Sequence, residues 1–334
     1  MKLKSVICGF AALFAFAAVA AAQDFAYRIS APYSHKNLTI YLIHGKDQTS
    51  KSNILTLQEA MERKLLLVYE TSDVNELAVE NISKFFDVFI QSGDIVKGGK
   101  QDRILAVSII IPARSGRIKI EAFCVESGRW QKRGNEDAGQ FSSSNDRIVS
   151  KELKLAANGQ RSQQEVWAKV TEAQDKLSRN LGAPVAGARS SSSLQLSLEN
   201  GKVLATADEY VKKLSNLIEG RSDVIGYAFA VNGRINSADV YVSNALFKKL
   251  WPRMLKAAAV EAVAEQDGHS AASPVARPDA VTAFMAEADR GHAEERVASG
   301  SARIVTRDQK DSAVYEARDE KSKTVVHRAY VKKQ

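Results

Sequence analysis

Short apolar runs separated by turn residues dominate the chain between residues 38 and 125. The run 38–43 is β-branched and aromatic, which is typical of a strand. Thr56 and Glu59 form a capping-box pattern and predict one short helix that ends near Lys64. Similar runs occupy residues 65–69, 77–81, 86–90, 104–111 and 117–125. This pattern favours a β-rich sandwich or barrel-like layer over residues 25–145.

Helical spacing of apolar residues begins after residue 160. Ser162 and Glu165 form a second capping box before a segment with apolar residues at helical intervals. A third box starts at Thr206 and predicts a helix from there to Gly220. The turn signal Asn232-Gly233 lies between apolar segments at 225–231 and 239–242, which predicts a hairpin. Asn244 is expected to cap the helix that follows and carries Trp251.

The last third of the chain contains a segment of small residues and then a short β pattern. Residues 266–277 are mostly Gly, Ser, Ala and Pro, which predicts a linker and the first site of proteolysis. Pro278 fits the first turn of a helix over 279–290. Alternating segments at 302–306, 313–317 and 324–331 predict a three-stranded meander. We therefore expect an α+β fold: an α+β body over 23–265, and a tail over 278–334 that docks on it.

The first residues have the three-part layout of a secretory signal peptide. Lys2 and Lys4 precede an apolar run, and alanines stand before Gln23, where cleavage would leave a mature chain without residues 1–22. The alternative is a membrane anchor, but the apolar run is shorter than the roughly 20 residues that a span requires. The sequence thus predicts an exported protein, periplasmic or secreted, with no membrane span after cleavage.

Composition and charge exclude several classes of protein. The 334 residues are 45% hydrophobic and 26% charged, which excludes a wholly disordered chain, a collagen and a disulfide scaffold. The net charge of +8 is spread among acidic residues without a basic stripe, so no nucleic-acid partner is predicted. After signal cleavage Cys124 is the remaining cysteine, so an intramolecular disulfide is not expected. The histidines lack metal-ligand spacing, and neither a metal nor a cofactor is predicted.

The densest polar cluster lies between two apolar strands, at residues 93–103. Gly98 and Gly99 allow positive φ, so successive N–H groups can form an anion-binding nest. Lys100 and Arg103 beside it suit a phosphate or carboxylate. The alternative is a solvated charged turn.

A second cluster follows at residues 123–130. Cys124 and Glu126 are expected on one face of a strand, opposite Phe123. A reactive thiolate needs a nearby cation or histidine, which Arg129, His35 or His44 could supply. Trp130 could stack on a planar ligand. The alternatives are a buried structural cysteine and a core tryptophan.

Together these two clusters resemble the ADP-ribosylglycohydrolase- and rhodanese-phosphatase-associated protein domain family. The similar motifs are Gly98-Gly99-Lys100-Gln101-Asp102-Arg103 and Cys124-Val125-Glu126-Ser127-Gly128-Arg129-Trp130. Weaker matches include Gln163 with Trp167. Ser162 and Asp102 depart from the family pattern, in which Asp and Asn are usual. The resemblance implies a role near nucleotide or ADP-ribose ligands.

Three functions remain open at this point. The first is a binding module for an anionic small molecule, with ligand-binding residues Gly98, Gly99, Lys100, Gln101, Arg103, Arg129 and Trp130. The second is a hydrolase or transferase in which Cys124 is the nucleophile and Glu126 the acid or base. The third is an envelope interaction module without a ligand. The sequence names no protein partner.

Overall fold

The computed structural model describes residues 27–71, 73–137, 139–148, 150–267, 274–300 and 302–334. The predicted signal peptide and part of the predicted linker lie outside this part of the chain. The fold is α+β and rich in β structure, as the sequence predicts. Within the described residues no helix is both long and apolar enough to cross a membrane.

The N-terminal half is built from short strands and one helix turn. Its strands are β1 (Arg28–Ile29), β2 (Tyr33–His35), β3 (Leu38–His44), β4 (Ile54–Thr56), β5 (Leu66–Glu70), β6 (Glu76–Asn81), β7 (Asp87–Ile90), β8 (Asp94–Gly98), β9 (Arg103–Leu105), β10 (Ile109–Ile111), β11 (Arg117–Cys124) and β12 (Phe141–Arg147). Helix α1 (Leu57–Glu62) begins at the predicted capping box, in which the side chains of Thr56 and Glu59 each bond the other's backbone N–H.

The rest of the chain adds the helices and six further strands. The helices are α2 (Lys151–Leu155), α3 (Gln163–Leu181), α4 (Leu194–Leu198), α5 (Gly201–Leu214), α6 (Asn244–Ala264) and α7 (Pro278–Asp289), with a π-helical turn at Ala156–Gln160 and a 3₁₀ turn at Ser215–Ile218. The strands are β13 (Val224–Val231), β14 (Arg234–Tyr241), β15 (His292–Val297), β16 (Ala302–Asp308), β17 (Ser312–Asp319) and β18 (Val325–Lys332).

These strands form three sheets. The largest has nine strands in the order β1-β3-β13-β14-β18-β17-β16-β15, with β2 also paired to β3. A six-stranded sheet has the order β12-β8-β9-β11-β6-β5, and β10, β7 and β4 form a third. Because β18 pairs with β14, the tail strands and the central hairpin belong to one sheet.

Alternating side chains bury both faces of the large sheet. Leu42 and Phe229 point to the core shared with α3, α5 and α6. Tyr41 and Ile43 point to the opposite face, which α7 covers with Val281 and other apolar residues. The smaller sheets share a further core, to which the tail contributes Ala302, Ile304 and Ala317.

Some predicted boundaries were wrong. The apolar run 104–111 is not one strand: β9 pairs with β8 and β11, whereas β10 pairs with β7 in another sheet. A run of hydrophobic residues indicates that a segment is buried, but it does not identify the strand with which the segment pairs. The sequence therefore does not show that the chain passes from one sheet to another within this run. The tail also has a fourth strand, β15, which the β pattern missed because it is charged, as edge strands often are.

Two predicted helix starts were also wrong. Thr206 lies inside α5, which begins at Gly201 with Asn200 as its N-cap. Helix α6 is capped by Ser243, one residue before the predicted Asn244. In both cases several cap-forming residues lie close together, and sequence alone does not rank them.

Candidate functional site

The two polar motifs meet at one end of the six-stranded sheet. Strands β9 and β11 are antiparallel, with Arg103 opposite Cys124 and Ile104 opposite Phe123. The loop before β9 and the turn after β11 therefore lie side by side. Arg129 joins them, since its Nη1 donates to the carbonyl oxygens of Gly99, at 3.3 Å, and Gln131, at 2.6 Å.

The backbone donors of the glycine loop bind acceptors of the protein itself. Gly98 and Gly99 have φ values of 107° and 56°, which turns the chain sharply. The N–H of Gly98 donates to Asp102 Oδ1 at 3.0 Å, and that of Lys100 donates to Glu70 Oε2 at 3.3 Å. The N–H of Gly99 donates to the carbonyl oxygen of Asp137 at 3.0 Å, so three successive donors of the loop are taken by three different groups of the protein.

The next layer is a buried network of ion pairs. Arg129 Nε donates to Glu126 Oε1 at 2.7 Å. Arg133 contacts both oxygens of Asp102, at 2.8 and 3.1 Å, and lies 2.8 Å from Glu136. Asp102 and Glu126 are fully buried. Since a buried carboxylate needs a counter-charge, these arginines are required by the fold before any ligand is considered.

The two buried carboxyl groups respond differently to this environment. Burial raises the pKa of Asp102, and the Arg133 contacts offset this only in part. For Glu126, burial raises the pKa but the hydrogen bonds from Arg129 and Ser190 outweigh it, so the pKa is lower than usual. Glu126 is therefore held ionised, and its role as an acid is not favoured.

Cys124 lies beneath this network and is buried, which agrees with the structural alternative for this residue. Arg103 Nη1 contacts its Sγ at 2.8 Å, and Arg103 Nη2 pairs with Glu70 at 3.0 Å. Burial raises the pKa of the thiol to about 11 although Arg103 opposes this. The thiol is thus protonated at neutral pH, which does not favour it as a nucleophile.

The histidines weighed as partners for Cys124 contact other groups. His44 Nδ1 lies 2.9 Å from Asp223. His35 makes an edge contact with the ring of Tyr210, with centroids 5.3 Å apart. Within the described ranges, no group of three or more His, Cys, Asp or Glu side chains could hold a metal ion.

The outer surface of the site carries different residues, which we call the outer rim: Lys100, Trp130, Lys132 and Arg189. All four are exposed, and Trp130 retains 55% of its surface. The ion pairs among the described residues leave the three cations of the rim without a carboxylate partner. Arg189 Nη1 lies 3.8 Å from where a Cβ on Gly134 would stand, so the loop carrying it reaches this turn.

The sequence motifs missed several residues of the buried network. Arg133 follows the second motif and lies outside its pattern. Ser193 is fully buried and donates to Asp102 Oδ2 at 3.0 Å, although the serine-rich stretch before α4 has the composition of a mobile loop. The sequence feature that could have identified Ser193 is its place directly before an apolar helical segment, where serine often caps a helix. In the structure its side chain accepts a hydrogen bond from Leu196 N.

The remaining predicted residue, Gln101, fixes the two loops together. Its Nε2 donates to the carbonyl oxygen of Glu126 at 2.8 Å, and it is fully buried. Gln163 acts similarly from α3, because its amide bonds both N and O of Cys124 at 2.8 Å. Hydrogen bonds thus link Gln101, Arg103, Cys124, Glu126 and Arg129 across the two loops, whereas Lys100 and Trp130 are exposed.

Comparison with known proteins gives a family. The chain matches no curated protein and no solved structure. The family model of the ARG and Rhodanese-Phosphatase-superfamily-associated Protein domain matches residues 26–331. This range includes both polar motifs, the central hairpin and the tail strands. The chain therefore belongs to the ARG and Rhodanese-Phosphatase-superfamily-associated Protein domain family.

Proposed function

We propose that this domain binds an anionic small molecule on the outer rim. The observation that carries the proposal is the exposed Trp130 on a turn that also carries the exposed Lys132 and that Arg129 joins to the loop of Lys100. Neither lysine has an ion-pair partner among the described residues. The exposed indole offers a flat apolar face on which a planar ligand can stack. The cations can offer charge-assisted hydrogen bonds to a phosphate or carboxylate.

The buried network supports this role by holding the rim in place. Arg129 ties the turn that carries Trp130 to the loop that carries Lys100. Ser192 Oγ donates to the carbonyl oxygen of Ser127 at 2.7 Å, which fixes the serine-rich loop against the same turn. A rim built on such supports loses little entropy on binding, and preorganisation of this kind favours affinity.

The chemistry of the rim favours a ligand with an anionic group and a planar ring. Trp130 would stack on the ring, and Lys100, Lys132 and Arg189 would contact the charge. Nucleotides belong to this class, and ADP-ribose is the first to test because the motif resemblance implies it. Sugar phosphates and carboxylates have the negative charge but no planar ring. Comparing them with nucleotides therefore separates the contribution of the charge from that of stacking on Trp130.

A fluorescence titration tests the proposal. The protein has three tryptophans, of which Trp251 is buried and Trp167 half-buried, so a ligand stacked on Trp130 should quench the exposed part of the signal. ADP-ribose, AMP, ribose 5-phosphate and citrate are titrated against the wild-type protein. We expect saturable quenching with the nucleotides, and its loss in Trp130→Phe.

Charge variants provide the control. Lys132→Ala should weaken binding roughly fivefold, the effect of losing one exposed charge contact of about 1 kcal/mol. Lys248→Ala, an exposed lysine on α6, should bind as the wild type does. Absence of saturable binding by all four ligands, or equal effects of the two lysine substitutions, would contradict the proposal.

A further inference from the structure

A protruding apolar loop lies at the end of the six-stranded sheet that is opposite the candidate site. Phe85, in the loop between β6 and β7, retains 72% of its surface, and Ile82 in the same loop retains 47%. The next residue, Phe86, is half-buried and packs against the core of the smaller sheets. Phe85 is the most exposed large apolar side chain that the structure describes, and packing of the core does not account for it.

The strand pairing places this loop far from the outer rim. Strand β11 begins at Arg117, which is opposite Glu80 near the end of β6, and it ends at Cys124 in the candidate site. Its eight residues span about 24 Å, at roughly 3.4 Å per residue. The loop after β6 and the turn after β11 therefore lie at opposite ends of one sheet.

Hydrogen bonds hold the loop in shape. Ser83 Oγ accepts from the N–H of Phe85 at 3.2 Å and from that of Phe86 at 2.9 Å. Asn81 is fully buried, and its Nδ2 donates to the carbonyl oxygens of Phe86, at 2.8 Å, and Ile111, at 3.1 Å. Because the base of the loop is fixed in this way, the ring of Phe85 is held in solvent and does not fold back onto the core.

Three segments of the chain meet at this loop. The N–H of Ile82 donates to the carbonyl oxygen of Leu65 at 2.9 Å, and that of Arg114 donates to the carbonyl oxygen of Ser83 at 3.0 Å. Segments 63–65 and 112–116 therefore lie against the loop 82–86. They carry four exposed cations, which together with Ile82 and Phe85 we call the basic tip: Arg63, Lys64, Lys84 and Arg114.

The basic tip has an excess of positive charge. The three segments that form it contain no acidic residue. Within the described ranges, its four cations have no ion-pair partner. The nearby carboxylates are already paired, Glu80 with Arg117 at 3.5 Å and Asp87 with Lys51 at 2.8 Å. A partner with a negatively charged surface therefore complements this end of the sheet.

An anionic lipid surface fits this combination better than a protein does. A stable protein interface buries roughly 800 Å² on each partner, and two apolar side chains on one short loop offer much less. Reversible attachment to a bilayer needs only a few apolar side chains at the headgroup boundary, flanked by lysine and arginine. Each cation near an anionic membrane surface strengthens such attachment roughly fivefold.

We propose that the basic tip attaches this protein to the surface of an anionic membrane. Phe85 and Ile82 insert at the boundary between the lipid headgroups and the acyl chains, and the four cations contact the lipid phosphates. The contact is peripheral and reversible. In this orientation the outer rim faces away from the membrane and stays open to the solution.

Co-sedimentation with lipid vesicles tests the proposal. The exported chain, predicted to begin at Gln23, is used because the apolar run before it would bind lipid by itself. Vesicles of phosphatidylcholine are compared with vesicles in which about one third of the lipid is phosphatidylglycerol. We expect binding to the anionic vesicles, weakened by added salt, and little binding to the neutral ones. Binding to neither kind of vesicle, or equal binding to both, would overturn the proposal.

Single substitutions test which side chains make the contact. Phe85→Ser should weaken binding to the anionic vesicles about tenfold or more, because it removes the largest inserted apolar surface. Lys84→Ala should weaken it roughly fivefold. Val74→Ser is the matched control: Val74 is 37% exposed and lies at the candidate-site end, where its carbonyl oxygen accepts from Arg103. Phe85→Ser binding as tightly as Val74→Ser would refute insertion.

A fluorescent label tests insertion directly. Cys124 is buried, so Phe85→Cys provides an accessible thiol for an environment-sensitive fluorophore. Its emission should shift to shorter wavelength when anionic vesicles are added, whereas the same label on Val74→Cys should not shift. Equal shifts at the two positions, or no shift at either, would contradict insertion of the tip.

Membrane attachment and ligand binding should be separable. Phe85→Ser should bind nucleotides as the wild type does, because the outer rim is at the other end of the sheet. The rim also exposes an aromatic residue among cations, so Trp130→Ser is tested with the same vesicles and should still bind them. Loss of vesicle binding in Trp130→Ser, with binding retained in Phe85→Ser, would place the lipid contact on the rim and overturn this proposal.

Discussion

Single cationic residues near the two motifs lie in one of two environments, a buried ion pair or the exposed surface. Arg103, Arg129 and Arg133 are paired with buried carboxylates, whereas Lys100 and Lys132 are exposed. The two motifs lie at one end of a sheet because β9 and β11 pair with each other. The sequence could not show which cations are neutralised internally, because Asp102 and Arg133 come from separate loops.

The environment of Cys124 predicts slow chemistry. Its pKa of about 11 leaves little thiolate at neutral pH, and its side chain is buried. We expect a thiol reagent at pH 7 to label the native protein at least about a hundredfold more slowly than the urea-unfolded chain. Native labelling at a similar rate would contradict this burial and restore Cys124 as a candidate nucleophile.

Glu261 predicts a pH-dependent stability. Burial raises its pKa to about 7, although Lys154 and the hydrogen bond from Asn236 oppose this. The folded state therefore binds this proton more tightly than the unfolded state does, so protonation of Glu261 stabilises the fold. This stabilisation is fully present below about pH 4.5 and is lost as the pH rises through 7. At pH 8 the free energy of unfolding should be roughly 3 kcal/mol lower than at low pH because of Glu261.

Glu261→Gln isolates this contribution, because the amide oxygen can still accept from Lys151 N and Asn236 Nδ2. We expect urea unfolding between pH 5 and pH 8 to show the wild type losing stability relative to the variant. Parallel stability profiles for the two proteins would show that Glu261 titrates normally.

Local sequence patterns predicted elements better than they predicted partners. The capping box at Thr56 and the turn at Asn232-Gly233 appear where expected, because caps and turns depend on neighbouring residues. The pairing of β3 with β13 joins residues far apart in sequence, and the run 104–111 divides between two sheets. No local pattern contains that information.

Close approach of β13 and β14 predicts a sensitive glycine. A Cβ on Gly226 would lie 2.2 Å from the backbone oxygen of Asp239, where no flexible side chain can move aside. Gly226→Ala should therefore lower the free energy of unfolding by about 3 kcal/mol or more. Gly201→Ala is the control, since nothing lies within 4 Å of its added Cβ.

In the helix α5, Gly201→Ala should leave stability unchanged or raise it by up to about 1 kcal/mol. Chemical denaturation of both variants checks the pair. Equal effects of the two substitutions would show that β13 and β14 do not approach as closely as described.

At the scale of the whole molecule, the tail strands extend the central sheet. Ser237–Tyr241 of β14 pair with His327–Val331 of β18, and the tail also packs into the core of the smaller sheets. The meander was predictable from the alternation of apolar and polar residues. The pairing of β18 with β14 was not, because the sequence of a strand does not identify the strand with which it pairs. The division at residues 266–277 stays a prediction.

Limited proteolysis tests that division. Elastase, which cleaves after small residues such as alanine, should cut first within the segment 266–277. The tail fragment should then co-elute with the body in gel filtration, held by the strand pairing. Separation of the two fragments, with the melting temperature of the 23–265 body unchanged, would show that the tail does not dock.

The most direct measurement of the central claim compares two neighbouring cations, one exposed and one buried. Lys132→Ala should keep the unfolding free energy within about 0.5 kcal/mol and weaken nucleotide binding in the fluorescence titration. Arg133→Ala removes the nearest counter-charge of the buried Asp102, and it should cost about 3 kcal/mol of stability. The contrary result, a stable Arg133→Ala protein that has lost binding beside a Lys132→Ala protein that binds normally, would place the ligand in the buried network instead of on the outer rim.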